Sequence, residues 1–296
     1  MTYHSYATKQ VCRSRFGAGR TQTCLPKLSQ RRHKRILLSL CLCAFVAGSA
    51  AQAPAKKLRE FPINEVSTVS IDRLGNFYLV SNGRIRKYDT DGKFMNEFSN
   101  PQSYAITLLE PWNPLKIFVY ARNHQEILFL DREMGFQQKI PIDPSLAIDP
   151  YLACPSIDNN FWLLDRADFS LKKIDAKTYA VLEEINLKPS PAAEPDFTFV
   201  REYQNLLFLI DQKEGIVILS IHGKPIHTLK IKGPGYIGFL GQEIYLLENG
   251  KITFYDLYTE EQHSLPVDPL AQFVLITDER MVLVKKSSVE VWEYKP

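Results

Sequence analysis

Asp72-Arg73-Leu74-Gly75-Asn76-Phe77-Tyr78-Leu79-Val80, followed by Asn82-Gly83-Arg84-Ile85-Arg86-Lys87-Tyr88-Asp89-Thr90-Asp91-Gly92-Lys93-Phe94, reads as short strands joined by tight turns. Gly75-Asn76 and Asp91-Gly92 supply the residues that tolerate positive φ in such turns. The apolar run at Phe77 has five counterparts, at Ile117, Phe161, Leu206, Ile244 and Met281. Their starts lie 40, 44, 45, 38 and 37 residues apart. Each run is followed by a few polar residues and a second strand. These strands end at Lys87-Tyr88-Asp89, Phe129-Leu130-Asp131, Lys173-Ile174-Asp175, Leu219-Ser220-Ile221, Phe254-Tyr255-Asp256 and Trp292-Glu293-Tyr294. A turn and a more polar strand follow all but the last. No long stretch has a helical period. Short strands at a spacing of about 40 residues indicate an all-β fold, a β-propeller with four strands per blade.

The two ends fix the count. The sixth unit stops at Pro296 without its outer strand. Lys57-Leu58-Arg59-Glu60-Phe61-Pro62-Ile63, ahead of the first unit, reads like the outer strands Lys93–Phe98, Gln138–Ile142 and Val181–Ile185. The expected architecture is a single six-bladed domain over 52–296, with the N-terminal strand completing the last blade and closing the ring. Closure removes open sheet edges.

The first blade resembles an NHL repeat. The parts come in order: Asp72-x-x-Gly75-Asn76, an aromatic strand, Asn82-x-Arg84-Ile85, then Asp91-Gly92-Lys93. Asp158-Asn159-Asn160-Phe161-Trp162 and His222-Gly223-Lys224 echo it elsewhere, and Ser81 stands where an Asp is usual. The resemblance implies the propeller. NHL-like propellers include sensor domains, RNA binders, scaffolds and metal-dependent lyases and lactonases, and fold does not choose among them.

The chain has 36 Lys+Arg and 33 Asp+Glu. Residues 1–51 hold nine of the basic residues and no acid, so 52–296 carries 27 basic against 33 acidic residues, a net of −6. That balance opposes nucleic-acid binding, which needs a basic footprint. Arg31, Arg32, Lys34 and Arg35 precede the apolar run Ile36–Val46 and the small-residue stretch Ala47–Ala53. Charged, apolar, small is the order of a secretory signal peptide. The reading is an exported protein, periplasmic or extracellular, with no membrane span after cleavage. A retained anchor, a transit peptide and a lipid on Cys41 are the rival readings. Of Cys12, Cys24, Cys41, Cys43 and Cys154, only Cys154 lies beyond the leader, so no internal disulfide is expected. Cys154 reads as a buried small hydrophobe. No Asn-x-Ser/Thr sequon occurs, which points toward a bacterial source.

No nucleophile motif is present. Gly233-Pro234-Gly235-Tyr236-Ile237-Gly238 is formally GxGxxG but lacks the strand–turn–helix context, and reads as a tight connection between blades. Enzymes of the resembled architecture hold Ca or Zn in the central channel. Asp72, Asp158 and Asp278 follow inner strands and are better explained as turn caps. His222, His227 and His263 fall on outer strands or their turns, Glu183-Glu184 and Glu260-Glu261 read as solvated charge, and Trp112 lies in a turn-like Glu110-Pro111-Trp112-Asn113-Pro114.

Binding is therefore expected on the face where blade-linking loops meet the loops between second and third strands. The linkers are rich in proline, Pro101, Pro189 and Pro191 among them, and carry Tyr104, Tyr151 and Tyr236. The other loops carry Arg84, Arg122, His124, Asp165, Arg166, Asp211, Lys213 and Glu248. Aromatic and Arg side chains are effective anchors; the competing reading has the aromatics plugging the channel. The expected function is a non-catalytic binding or scaffold protein of the cell envelope, recognising a protein, peptide or glycan without a cofactor. The alternative is a metal-dependent, lactonase-like hydrolase or lyase with channel Ca or Zn.

Overall fold

The computed structural model describes residues 56–99, 104–188, 194–259 and 261–295. The leader, Pro101, Pro189, Pro191 and Glu260 lie outside the described residues. Strand β1 (Lys57–Pro62) comes first. Blade 1 is β2 (Thr68–Ile71), β3 (Phe77–Ser81), β4 (Arg84–Tyr88) and β5 (Phe94–Ser99). Blade 2 is β6 (Ile106–Glu110), β7 (Ile117–Ala121), β8 (Glu126–Leu130) and β9 (Phe136–Pro141). Blade 3 is β10 (Pro150–Pro155), β11 (Phe161–Asp165), β12 (Ser170–Ile174) and β13 (Val181–Asn186). Blade 4 is β14 (Phe197–Tyr203), β15 (Leu206–Asp211), β16 (Gly215–Ser220) and β17 (Pro225–Leu229). Blade 5 is β18 (Ile237–Leu240), β19 (Glu243–Glu248), β20 (Lys251–Asp256) and β21 (Gln262–Pro266). Blade 6 is β22 (Ala271–Ile276), β23 (Arg280–Lys285) and β24 (Ser288–Glu293), with β1 as its fourth strand. All pairings are antiparallel, and the whole is a six-bladed β-propeller. In the β1–β24 pairing, Phe61 faces Val289 and Pro62 faces Ser288.

Burial explains why the apolar runs do not alternate. A second strand lies between two strands of its own sheet and packs against neighbouring blades on both faces. Tyr78, Tyr120, Trp162, Phe208 and Tyr245, one per blade in blades 1 to 5, are fully buried there. Each such side chain contributes about 2–3 kcal/mol relative to exposure. The outer strands β9 and β13 are mostly exposed and β5 is half exposed, so polar residues interrupt their sequences.

This strand order creates two faces. The blade-to-blade linkers and the second-to-third turns lie on one, here the loop face. The first-to-second and third-to-fourth turns lie on the other, here the hairpin face. On the hairpin face, Asp72 caps its turn as expected: its carboxylate accepts from the Leu74 and Asn76 backbone N–H groups at 2.9 and 3.0 Å, and from the Tyr78 hydroxyl at 3.0 Å. Asp158 accepts from the Asn160 N–H at 3.2 Å and pairs with Lys173 at 2.7 Å. Burial alone would raise its pKa, but Lys173, Ser156 and Asn160 bring it down to about 2. Asp278 departs from expectation. Thr277 caps that turn instead, its hydroxyl accepting from the Arg280 N–H at 2.9 Å, because it stands one residue nearer the strand end.

Candidate functional site

The structure places all eleven residues nominated from the sequence on the loop face and draws most of them into internal contacts. Tyr104 is buried, donates to Glu126 at 2.7 Å and packs against His124 with ring centroids 4.3 Å apart. Burial and that carboxylate push its hydroxyl up to about 12. Tyr151 lies against two guanidinium groups, Arg122 at 4.4 Å and Arg166 at 4.5 Å. Arg166 also pairs with Asp149 at 2.8 Å. Asp165 is buried and accepts from the Ile148, Asp149 and Ala167 N–H groups, which fixes the blade 2–3 linker against blade 3. Asp211 repeats that role in blade 4, accepting from Asp196 and Lys213 N–H groups at 3.2 and 2.9 Å. The Lys213 ammonium donates to the Glu194 carbonyl at 2.6 Å. Arg84 pairs with Glu97 at 3.1 Å, and Glu248 is half-buried at the end of β19. Tyr236 lines the axis with Phe273, ring centroids 6.1 Å apart.

The hairpin face carries a concavity of its own. Two adjoining hollows, of about 360 and 380 Å³, share Trp112 and Tyr203 as a ridge. Phe118, Phe129 and Ile157 wall the first, and Leu74 and Phe239 the second. Trp112 is 47% exposed and meets Tyr203 edge-on at 6.5 Å; Tyr203 packs on Phe239 at 4.7 Å. Leu74, Leu115 and Ile157 are exposed in neighbouring turns. The Glu202 carboxylate is held by the Ser156 hydroxyl and the Trp162 indole N–H, both at 2.6 Å, and by the Ile157 N–H at 3.3 Å. Of this constellation, the sequence singled out only Trp112, through its turn-like stretch.

A buried ion pair floors the first hollow. Arg201, on β14, faces Glu110, on β6: Nε lies 2.9 Å from Oε2, and Nη2 donates to Oε1 at 3.2 Å. The Trp112 N–H donates to the same Oε1 at 3.0 Å. The guanidinium stacks over Phe239 at 4.5 Å. Burial raises the Glu110 pKa and outweighs the opposing pull of Arg201 and the Trp112 N–H. Behind the pair, toward the loop face, lies an axial chamber of about 300 Å³. Glu110 and Arg201 line both spaces and so partition the channel.

Among the described residues, no three His, Cys, Asp or Glu side chains converge to hold a metal ion. His227 and His263 lie on outer strands and His222 in the turn before one, where its ring meets Glu183 at 2.9 Å. Cys154 is free and buried, and burial pushes its thiol well above the ordinary value. With Cys12, Cys24, Cys41 and Cys43 replaced by serine, Cys154 is therefore expected to resist a disulfide-exchange reagent at mildly alkaline pH until denaturant is added. Prompt labelling of the native protein would contradict that burial. No helix of the described residues is long and apolar enough to cross a membrane.

No protein family and no curated protein matches the chain. Solved structures do. A Bacteroides fragilis protein described as exported is similar at 11% identity, over 82% of this chain and 95% of that one, with a TM-score of 0.58. The Pan2 WD40 domain of Neurospora crassa is similar at 9% identity, over 81% and 95%, with a TM-score of 0.54. Virginiamycin B lyase of Staphylococcus aureus, in a catalytically inactive form with quinupristin, is similar at 16% identity, over 77% and 80%, with a TM-score of 0.51. At these identities the likeness establishes a shared propeller fold.

Proposed function

We propose that this chain is an exported, non-catalytic binding propeller of the cell envelope that captures an extended polypeptide segment on its hairpin face. The double hollow around Trp112 and Tyr203 carries the reading. It is concave, aromatic and built on strand ends, and the floor of its first hollow is locked by the Arg201–Glu110 pair. Trp, Tyr and Arg in a rigid hollow are the residues that dominate binding energy at interfaces. Two hollows with a shared ridge suit successive side chains of an extended chain. The leader's order and the likeness to a protein described as exported support the location.

Trp112→Ala tests it. The side chain is half exposed, so the fold should survive with its thermal midpoint nearly unchanged, while affinity for the partner falls about thirtyfold. The partner is obtained by photo-crosslinking from position 157 in the full-length tagged protein in its native envelope, and the affinity is then measured on the purified pair. A partner indifferent to Trp112→Ala and Tyr203→Ala, yet lost on Arg122→Ala and Tyr151→Ala, would move the site to the loop face. The same preparation is assayed for Ca and Zn; stoichiometric metal without a partner would favour the metal-dependent hydrolase or lyase.

A further inference from the structure

The axial chamber has a chemistry unlike that of the hairpin-face hollows. Phe199, Tyr236 and Phe273 present aromatic side chains from blades 4 to 6. Hydroxyl groups of Thr68, Ser70, Thr107 and Thr198 come from blades 1, 2 and 4. Glu110 and Arg201 close the floor as a neutral pair. The Thr198 hydroxyl is already engaged, accepting from the Gln212 amide at 2.9 Å, and the Thr107 hydroxyl donates to the Ala105 carbonyl and accepts from the Arg122 N–H, each at 3.4 Å. Ser70 is 6% exposed and lines the chamber, yet its hydroxyl makes no hydrogen bond to another described residue. A buried hydroxyl without a partner costs about 1–3 kcal/mol, so such groups normally meet water or a ligand.

We infer that this chamber binds one neutral sugar ring, through stacking on its aromatic wall and hydrogen bonds to its hydroxyl wall. A ring of alternating C–H faces and equatorial hydroxyls fits a cavity with one aromatic side and one hydroxyl side. The volume lies at the lower end of the ~300–1,000 Å³ range of small-molecule sites, which suits a single ring. The balanced floor offers no free charge for an anionic or cationic ligand. The site is independent of the polypeptide hollow, since the ion pair separates the two.

The test is calorimetric titration of the full-length protein with D-glucose, D-galactose, N-acetyl-D-glucosamine and myo-inositol, with glucose 6-phosphate as the charged comparison. Maltotriose and triacetylchitotriose distinguish a free sugar from the end of a glycan. At least one neutral ring should bind more tightly than its charged counterpart. Ser70→Ala should weaken that binding about five- to tenfold, and Phe273→Ala at least as much. Trp112→Ala should leave it unchanged. Absence of heat with every neutral probe would overturn the inference, as would binding indifferent to both Ser70→Ala and Phe273→Ala. Neither result bears on polypeptide capture.

Discussion

Arg201→Leu is expected to lower the stability of the propeller by about 3–5 kcal/mol at neutral pH, because it strands a buried carboxylate. Glu110 and Arg201 are 7% and 9% exposed. Without the guanidinium, Glu110 keeps the Trp112 N–H as its only donor among those described. The double variant Arg201→Leu/Glu110→Leu should recover most of the loss, since exchanging a buried pair for apolar residues is often neutral. The pH dependence follows from the raised Glu110 pKa. A carboxyl group whose folded pKa exceeds its unfolded value holds a proton in the fold that the unfolded chain has released. Its contribution is fully present below the unfolded value and declines as pH rises through the folded one. Removing Arg201 takes away a lowering influence, so the window extends further upward. The deficit of Arg201→Leu should therefore be small near about pH 4 and grow toward neutrality. Denaturant midpoints across that range decide the matter, and an equal deficit at both ends would refute the stranded carboxylate.

The repeat was legible because a second strand buried on both faces cannot alternate in polarity. Phe77–Val80 and its five counterparts therefore stand out against polar outer strands. The turn chemistry was legible too: Gly75 and Gly92 adopt φ of +82° and +78°, and Asp72 caps its hairpin. The hollows were not. Arg201 and Glu110 are 91 residues apart in sequence and meet only because their inner strands both border the axis. No local pattern records a contact across a ring. The same limit applied on the loop face. Asp165 and Asp211 were visible as loop carboxylates, but their use in holding linker N–H groups depends on where the linkers return. For Trp112, the flanking prolines told of a projecting turn, while Tyr203, its partner across the ridge, gave no sign.

The glycine-rich stretch Gly233-Pro234-Gly235-Tyr236-Ile237-Gly238 also needed the structure, and it yields the other large effect. Gly238 pairs with Tyr245 between β18 and β19. A Cβ at Gly238 would lie 2.0 Å from Cζ and 2.4 Å from the hydroxyl oxygen of Tyr245, far inside contact distance. Tyr245 has no room to retreat: it is fully buried, and its hydroxyl oxygen accepts from the Ile276 N–H at 3.0 Å, binding blade 5 to blade 6. Gly238→Ala must displace the ring, break that bond and disturb the core between the two blades. The expected loss is about 3 kcal/mol or more, combining overpacking with an orphaned N–H, or roughly 6–12 °C in the melting temperature of a domain this size. Gly235→Ala is the internal control. Nothing lies within 4 Å of its Cβ position, so its effect should stay within about 0.5 kcal/mol. Tyr245→Ala is costly by itself, yet adding Gly238→Ala to it should cost little more, because the two changes act on one contact. Additive losses in that cycle would mean that Gly238 is required for its backbone, and the close approach of the Tyr245 ring would no longer explain it.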